Sequence, residues 1–277
     1  MNPKFSNLHE EDFSRRSVEI VQAAKDSGVT LRILGAMAVY VHTSHDALAI
    51  QRHTELKRLG EGHPMFTDLD LMGYSKQRKD TSKLLEKTMG FVPDFYVNSL
   101  FGGNRNIFRH PEGLFDIDVF YDKLSFSHEV RFGDNSERGR LELDFPTISL
   151  ADIVLEKLQI HQINRKDLID LFVLFSSHEV SDEPKLECID GGYVANVLSS
   201  DWGFEYDALS NLQKLRTQTA ALVDSSEISE EERKKTDARV SQLLSIVNRT
   251  LKSKEWEKRA KKGTSKPWYN EVDEVER

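Results

Sequence analysis

Residues 66–73 read FTDLDLMG, and further along the chain residues 114–122 read LFDIDVFYD. Both segments are typical of buried strands except for acidic residues at alternate positions. Because successive side chains of a strand point to opposite faces, Asp68 and Asp70 share one face, and Asp116 and Asp118 share a face in the same way. Such carboxylates repel one another and cost roughly several kcal/mol to desolvate unless a cation or hydrogen bonds compensate. The two segments therefore predict a site for a compensating partner.

Length and composition indicate an ordinary globular protein. The 277 residues, 38% of them hydrophobic, suffice for one large domain or two modest ones. The longest apolar runs are shorter than the ~20 residues that a membrane helix needs, so no membrane partner is expected. The first residues lack an apolar signal core, and Cys188, the only cysteine, has no disulfide partner in the chain. We expect a cytoplasmic location.

Charge is distributed unevenly. The net charge of −8 argues against indiscriminate binding to nucleic acid. Residues 1–200 contain 23 Lys and Arg against 31 Asp and Glu, whereas residues 201–277 contain 15 of each. Within the latter, residues 249–266 contain eight basic and two acidic residues. This stretch is either a solvated helix face or a contact surface for an anionic acceptor such as RNA.

Periodicity predicts an α+β protein. Residues 29–35 (VTLRILG) form a strand that enters Gly35, and a helix follows it. Further strands are expected at residues 66–73, 94–101, 105–111, 114–122 and 140–144. After Pro146 the pattern becomes helical, with helices beginning near Ser149 and Asn164. We place a core with a mixed sheet in residues 1–180 and a helical C-terminal domain in residues 181–277.

The order of these parts suits a nucleotide. A glycine turn at a helix N-terminus, as at Gly35, offers backbone N–H groups and a favourable dipole to a phosphate. Carboxylates that converge from adjacent strands can bind Mg²⁺, or Mn²⁺ in its place, while substrate phosphates and water complete the octahedron. Together these parts favour a nucleoside triphosphate (NTP) as the ligand.

The sequence resembles the nucleotidyltransferases of the DNA polymerase beta superfamily. Their pattern is a helix that opens with Gly-Ser or Gly-Gly, an Asp-x-Asp on the next strand, and a third Asp on a neighbouring strand. Within that superfamily the chain is most similar to bacterial nucleotidyltransferase-like proteins related to the AbiEii toxin group. The likeness extends over nearly the whole chain, through segments such as LRILGAMAVYVH, FTDLDLMGYS, DIDVFYDKLSFSHEV and EKLQIHQINRKDLIDL. It implies a polymerase-beta-like core followed by a helical domain.

The resemblance assigns roles to five residues around the phosphate turn and the metal. It implies that Gly35 and Ala36 form the nucleotide-binding turn, that Asp68 and Asp70 are the metal pair, and that Asp118 is the third metal ligand. Asp118 would accept or orient the proton of an attacking hydroxyl. Asp116 is an alternative for that role or an outer partner of the site. Ala36 stands where the superfamily has a serine whose hydroxyl binds the triphosphate, which puts activity in doubt.

Two residues on the later helices are implied to complete the site. Lys157 would neutralise the triphosphate as a catalytic and nucleotide-binding residue, and Asp170 would be its acidic companion. The alternative is that Lys157, Asp167 and Asp170 form ion pairs between two antiparallel helices. Arg52 and Arg58, in the connection before the Asp-x-Asp strand, are further candidate phosphate donors, with Lys57 beside them.

The expected activity is Mg²⁺-dependent transfer of a nucleotidyl group from an NTP to a hydroxyl of an acceptor. An alternative is a non-catalytic protein of the same fold that binds a nucleotide or a partner protein. Another is a toxin that modifies tRNA and has a cognate antitoxin, and a third is a transferase that acts on a small-molecule acceptor of the aminoglycoside type.

Overall fold

The computed structural model describes residues 8–101 and 103–271 and is α+β. Its α-helices are α1 (Glu10–Asp26), α2 (Gly35–His42), α3 (Ala47–Glu55), α4 (Arg78–Lys83), α5 (Phe95–Phe101), α6 (Leu150–Leu158), α7 (Arg165–Ser177), α8 (Gly191–Leu198), α9 (Trp202–Asp224), α10 (Glu230–Arg249) and α11 (Lys254–Ala260). Its strands are β1 (Leu31–Ile33), β2 (Asp68–Gly73), β3 (Val92–Pro93), β4 (Arg105–Arg109), β5 (Asp116–Tyr121), β6 (Lys123–Ser125), β7 (Glu129–Arg131), β8 (Glu179–Ser181) and β9 (Cys188–Asp190).

The main sheet is mixed, with the strand order β1-β2-β5-β4-β3. Strands β2 and β5 run parallel, whereas the other neighbouring pairs run antiparallel. The apolar members of the two alternating segments, Leu69, Leu71, Ile117 and Val119, are completely buried. Their burial stabilises these strands, and the intervening aspartates project from the opposite face. The predicted α+β class with a mixed sheet is confirmed.

Two predicted strands are wrong. Residues 94–101 contain helix α5 because Asp94 caps it: the Asp94 Oδ1 atom accepts a hydrogen bond from the Val97 N–H at 3.1 Å. Residues 140–144 are turns rather than a strand, and the Leu141 N–H donates to the Tyr74 hydroxyl at 3.1 Å instead of to a strand. A polar contact outweighs the alternating pattern in both segments, local at Asp94 and long-range at Leu141.

The chain forms two compact units. The first combines Met1–His42, Leu59–Leu124 and Arg131–Ser149, and it contains the main sheet. The second combines Thr43–Arg58, Ser125–Val130 and Leu150–Arg277, and it is mostly helical. The division predicted near residue 180 follows sequence order, whereas these units are each assembled from several stretches. Helices α6 and α7, which precede residue 180, belong to the second unit.

Helix α7 lies at the centre of the second unit, where it packs against α3, α9 and α10. Every residue from 167 to 175 is buried, so the helix has no solvated stripe in this part. Asn164 caps it, as predicted, by accepting a hydrogen bond from the Asp167 N–H at 3.2 Å.

Among the described residues, no helix combines the length and apolar character required to cross a bilayer.

Candidate functional site

Three of the predicted carboxylates come together on the main sheet. The register pairs Asp68 with Asp116 and Asp70 with Asp118 across the parallel strands β2 and β5. One oxygen each of Asp68, Asp70 and Asp118 lies within 4.8 Å of the others, a separation that allows one cation to contact all three. Asp118 is buried, and Asp68 and Asp70 are partly exposed. We call these three residues the carboxylate trio.

Gly35 lies directly beside the trio. The Leu34 N–H donates to the Asp70 carbonyl at 3.0 Å, which fixes the end of β1 against β2. Gly35 has φ +70°, and a Cβ atom at this position would lie 3.0 Å from Asp70 Oδ2. Glycine is therefore required both by the left-handed backbone and by the close approach. The first turn of α2, with its partial positive charge, consequently begins next to an aspartate of the trio.

Arg105 is a residue of this site that the sequence reasoning missed. On β4, Ile107 pairs with Asp118 of β5, so Arg105 projects from the same face two residues away. Its Nη2 atom donates to Asp118 Oδ2 at 2.5 Å, and its guanidinium lies 5.2 Å from the centroid of the Phe120 ring. The alternation in residues 105–109 contains this signal, but it is interpretable only once the register between β4 and β5 is known.

Lys157 and Asp170 lie in a different cluster, in the second compact unit. The Lys157 Nζ atom is 3.0 Å from Asp170 Oδ2 and 3.2 Å from Asp167 Oδ1. Arg58 donates to both oxygens of Asp170 at 3.0 Å, and His53 Nε2 lies 2.9 Å from Asp170 Oδ1. All five side chains are at most 8% exposed. We call these residues the buried ion cluster.

Burial and pairing act in opposite directions on the titration of the buried ion cluster. Burial alone raises the pKa of Asp170, but Lys157, Arg58 and His53 outweigh it and hold that pKa well below its ordinary value. Burial alone lowers the pKa of Lys157, but Asp170, Asp167 and Glu156 outweigh it and raise that pKa. The pKa of His53 is lowered, chiefly by burial, so its ring is neutral at pH 7. Lys157 and Asp170 are thus ionised and compensate each other.

The other predicted phosphate-binding side chains have structural contacts. Arg52 donates to both oxygens of Glu232 at 2.8 and 3.2 Å. Arg58 binds Asp170, as described. Ala36, the second residue of α2, is partly exposed, and its methyl group supplies no hydrogen bond to a ligand. A role for Lys157 or Asp170 at the triphosphate stays a prediction. The observed contacts of Lys157 with Asp167 and Asp170 are those expected for ion pairs between two helices.

A second histidine-containing cluster in the helical unit was not predicted. Asp207 Oδ2 lies 2.7 Å from His128 Nε2, and its Oδ1 atom lies 3.0 Å from His161 Nδ1. The Trp268 indole donates to the same Oδ1 atom at 3.1 Å, and Tyr269 stacks on the His161 ring with centroids 3.6 Å apart. Burial alone raises the pKa of Asp207, but the hydrogen bonds from His128, His161 and Trp268 lower it below the ordinary value. Asp207 therefore fixes residues 268–269 against the helices.

The basic stretch at residues 249–266 is partly used within the chain. Arg249 pairs with Asp182, and Lys252 Nζ lies 2.7 Å from Glu205 Oε2. Arg259 donates to backbone carbonyls of the following turn, including that of Gly263 at 2.8 Å. The remaining basic side chains are exposed: Lys254, Lys258, Lys261, Lys262 and Lys266. The choice between a solvated face and an anion-binding surface therefore concerns these five lysines.

The donor set of the carboxylate trio fits a hard divalent cation, since such ions prefer carboxylate oxygens and complete their shells with water and phosphate. The adjoining start of α2 suits an anion. The arrangement can therefore hold a metal ion and a phosphate group next to each other.

Comparison with known proteins adds no family, because the chain matches no protein-family model, no curated protein and no solved structure.

Proposed function

We propose that the protein is a Mg²⁺-dependent nucleotidyltransferase with a polymerase-beta-like core, which transfers a nucleotidyl group from an NTP to a hydroxyl of an acceptor. The observation that carries this proposal is the meeting of three carboxylates from adjacent parallel strands within 4.8 Å, beside the glycine that opens α2. A cytoplasmic location agrees with this substrate and remains part of the proposal.

The residues of the trio have distinct tasks in this reaction. Asp68 and Asp70, which are partly exposed, would bind the metal ion together with Asp118. Asp118 would also take the proton of the acceptor hydroxyl as its oxygen bonds to the α-phosphorus and the bond to pyrophosphate breaks. The backbone at Gly35 would receive a phosphate of the NTP. When bound, Mg²⁺ supplies charge stabilisation of the phosphate oxygens in the in-line displacement.

The test is nucleotide transfer by the full chain. Wild-type protein, Asp70→Asn and the control Asp134→Asn are incubated with each α-labelled NTP, Mg²⁺ or Mn²⁺, and total cellular RNA. Asp134 is a surface residue that pairs with Lys76, so its substitution changes the same charge away from the trio. We expect label transfer and pyrophosphate release that require Asp70 and not Asp134. Equal activity of wild-type protein and Asp70→Asn would exclude the proposed site.

A non-catalytic nucleotide-binding protein is the second candidate, because Ala36 provides no hydroxyl for the triphosphate. It predicts Mg²⁺-dependent nucleotide binding without pyrophosphate release. The acceptor separates the remaining possibilities. Label on tRNA would favour a toxin-type enzyme with an antitoxin partner, which the five exposed lysines support. Label on a small molecule added in place of RNA would favour an enzyme of the aminoglycoside-modifying type.

A further inference from the structure

Arg105 contacts the carboxylate trio at its most buried member. Its Nη2 atom lies 2.5 Å from Asp118 Oδ2, and Asp118 is only 1% exposed. The Arg105 side chain is itself 23% exposed, and its Nε atom makes no hydrogen bond within the part of the chain that the structure describes. The guanidinium therefore donates to Asp118 through Nη2 and has a buried Nε–H without a hydrogen bond to a described residue.

The contact places a positive charge on the carboxylate that a metal ion would need. A divalent cation at the trio and a guanidinium on Asp118 repel each other, so the two compete for the charge of the same carboxylate. Both satisfy the buried carboxylate, which would be costly to leave without a cation. Arg105 thus contacts a carboxylate that a cation at the trio would also contact, and such a cation would repel it.

Arg105 lies at the first position of the pairing between β4 and β5. It is the first residue of β4, directly after the turn at residues 103–104. A guanidinium recognises phosphate oxygens through two parallel hydrogen bonds, so a displaced Arg105 is chemically suited to the phosphates of a bound nucleotide. We propose that Arg105 is a positioning residue that holds Asp118 until a divalent cation binds, and then transfers its hydrogen bonds to the nucleotide phosphates. This inference rests on the proposed function, since it takes the trio as a cation site.

The first test measures Mn²⁺ binding to the full chain without nucleotide. Binding is monitored by the loss of the electron paramagnetic resonance signal of free Mn²⁺. Removal of the competing cation in Arg105→Gln is expected to lower the dissociation constant about tenfold, the equivalent of one charge-assisted hydrogen bond. Arg109→Gln is the matched control, because Arg109 lies on the same strand but pairs with Asp94 at 2.7 Å. Its dissociation constant is expected to remain that of the wild type. A purely structural role for Arg105 predicts the opposite, namely weaker Mn²⁺ binding in Arg105→Gln.

The second test is binding of a non-hydrolysable NTP analogue at saturating Mn²⁺. Arg105→Gln is expected to weaken it about tenfold, because one charged hydrogen bond to phosphate is lost, and Arg105→Lys is expected to recover part of that loss.

If Arg105→Gln does not fold, Arg105→Lys replaces it in the first test. Its single ammonium holds Asp118 less firmly than the guanidinium, so Mn²⁺ should bind it more tightly than it binds the wild type.

The outcomes separate this inference from the proposed function. If wild-type protein binds Mn²⁺ in a manner that requires Asp70, but the Arg105 variants bind it no more tightly, only the role of Arg105 is overturned. If neither wild-type protein nor any Arg105 variant binds Mn²⁺, the cation site and the role of Arg105 are both overturned. Tighter Mn²⁺ binding together with weaker nucleotide binding supports both steps.

Discussion

Substitution of Gly35 by alanine tests whether the approach of α2 to the carboxylate trio matters for cation binding. The added Cβ atom would lie 3.0 Å from Asp70 Oδ2, which is closer than an ordinary carbon–oxygen contact. The Asp70 carboxylate must therefore move by a few tenths of an ångström. Gly28 provides a matched control, because it also has a left-handed backbone, with φ +74°, but a Cβ atom there has nothing within 4 Å.

Both variants place alanine in a left-handed backbone, and only Gly35→Ala also brings a Cβ atom close to Asp70. A left-handed backbone costs an L-residue roughly 1–2 kcal/mol, and alanine returns about 0.4–1 kcal/mol by restricting the unfolded chain. We therefore expect the free energy of unfolding to fall by about 1 kcal/mol in Gly28→Ala, and by somewhat more in Gly35→Ala. Mg²⁺ tolerates little distortion of its ligands. Because displaced supporting contacts cost about 10–100-fold in metal affinity, we expect roughly tenfold weaker binding in Gly35→Ala alone.

Two assays separate these effects. Urea titration measures the free energy of unfolding of both variants, and Mn²⁺ titration monitored by electron paramagnetic resonance measures cation affinity. Weaker Mn²⁺ binding only in Gly35→Ala supports the arrangement of Gly35 and Asp70. Equal affinity of the two variants for Mn²⁺ would refute the reasoning, because the backbone cost alone would then account for every effect of the substitution.

Three variants test the second compact unit. Lys157→Met leaves Asp170 buried without that cation, so urea titration should show a loss of about 3–5 kcal/mol, and a loss near zero would contradict the ion-pair role. Folding lowers the pKa of His53, so as pH falls below about 6.5 the unfolded chain binds a proton at this ring and the folded chain does not. Wild-type protein should therefore lose stability as pH falls through this range. His53→Gln removes the titrating ring and should flatten the pH profile of stability. A wild-type profile that is flat from about pH 7.5 to about pH 5.5 would contradict this. Asp207→Ala removes the acceptor of the Trp268 indole, so tryptophan emission should shift to the red. The pKa of Asp207 is lowered in the folded state, so wild-type protein should lose the stability that Asp207 contributes only as pH falls below about 3.9.

Short-range alternation predicted strands β2 and β5, whereas the inclusion of Asp118 in the trio came from the resemblance, because its position depends on the register of β5 against β2. Apolar and acidic residues at alternate positions identify β2 and β5, and the period of two puts Asp68 and Asp70 on one face whatever the rest of the fold does. Arg105 was not assigned in this way, since its contact with Asp118 depends on the antiparallel register of β4 against β5, which the turn at residues 110–115 sets. Helix α5 was missed because its aromatic and β-branched residues favour a strand, and the capping contact from Asp94 decides otherwise.

The same kind of signal, a charged residue in an apolar segment, has different meanings in the two units. In the buried ion cluster, Lys157 and Arg58 compensate Asp170 within hydrogen-bond distance. In the trio, Arg105 pairs with Asp118, and three carboxylates from adjacent strands converge within 4.8 Å of one another. Converging like charges oppose folding, and such an arrangement is favourable chiefly where a ligand compensates it. A divalent cation should therefore stabilise the first unit measurably, and the stabilisation should be larger in Arg105→Gln than in wild-type protein, because that variant has lost the charge that shares Asp118 with the metal.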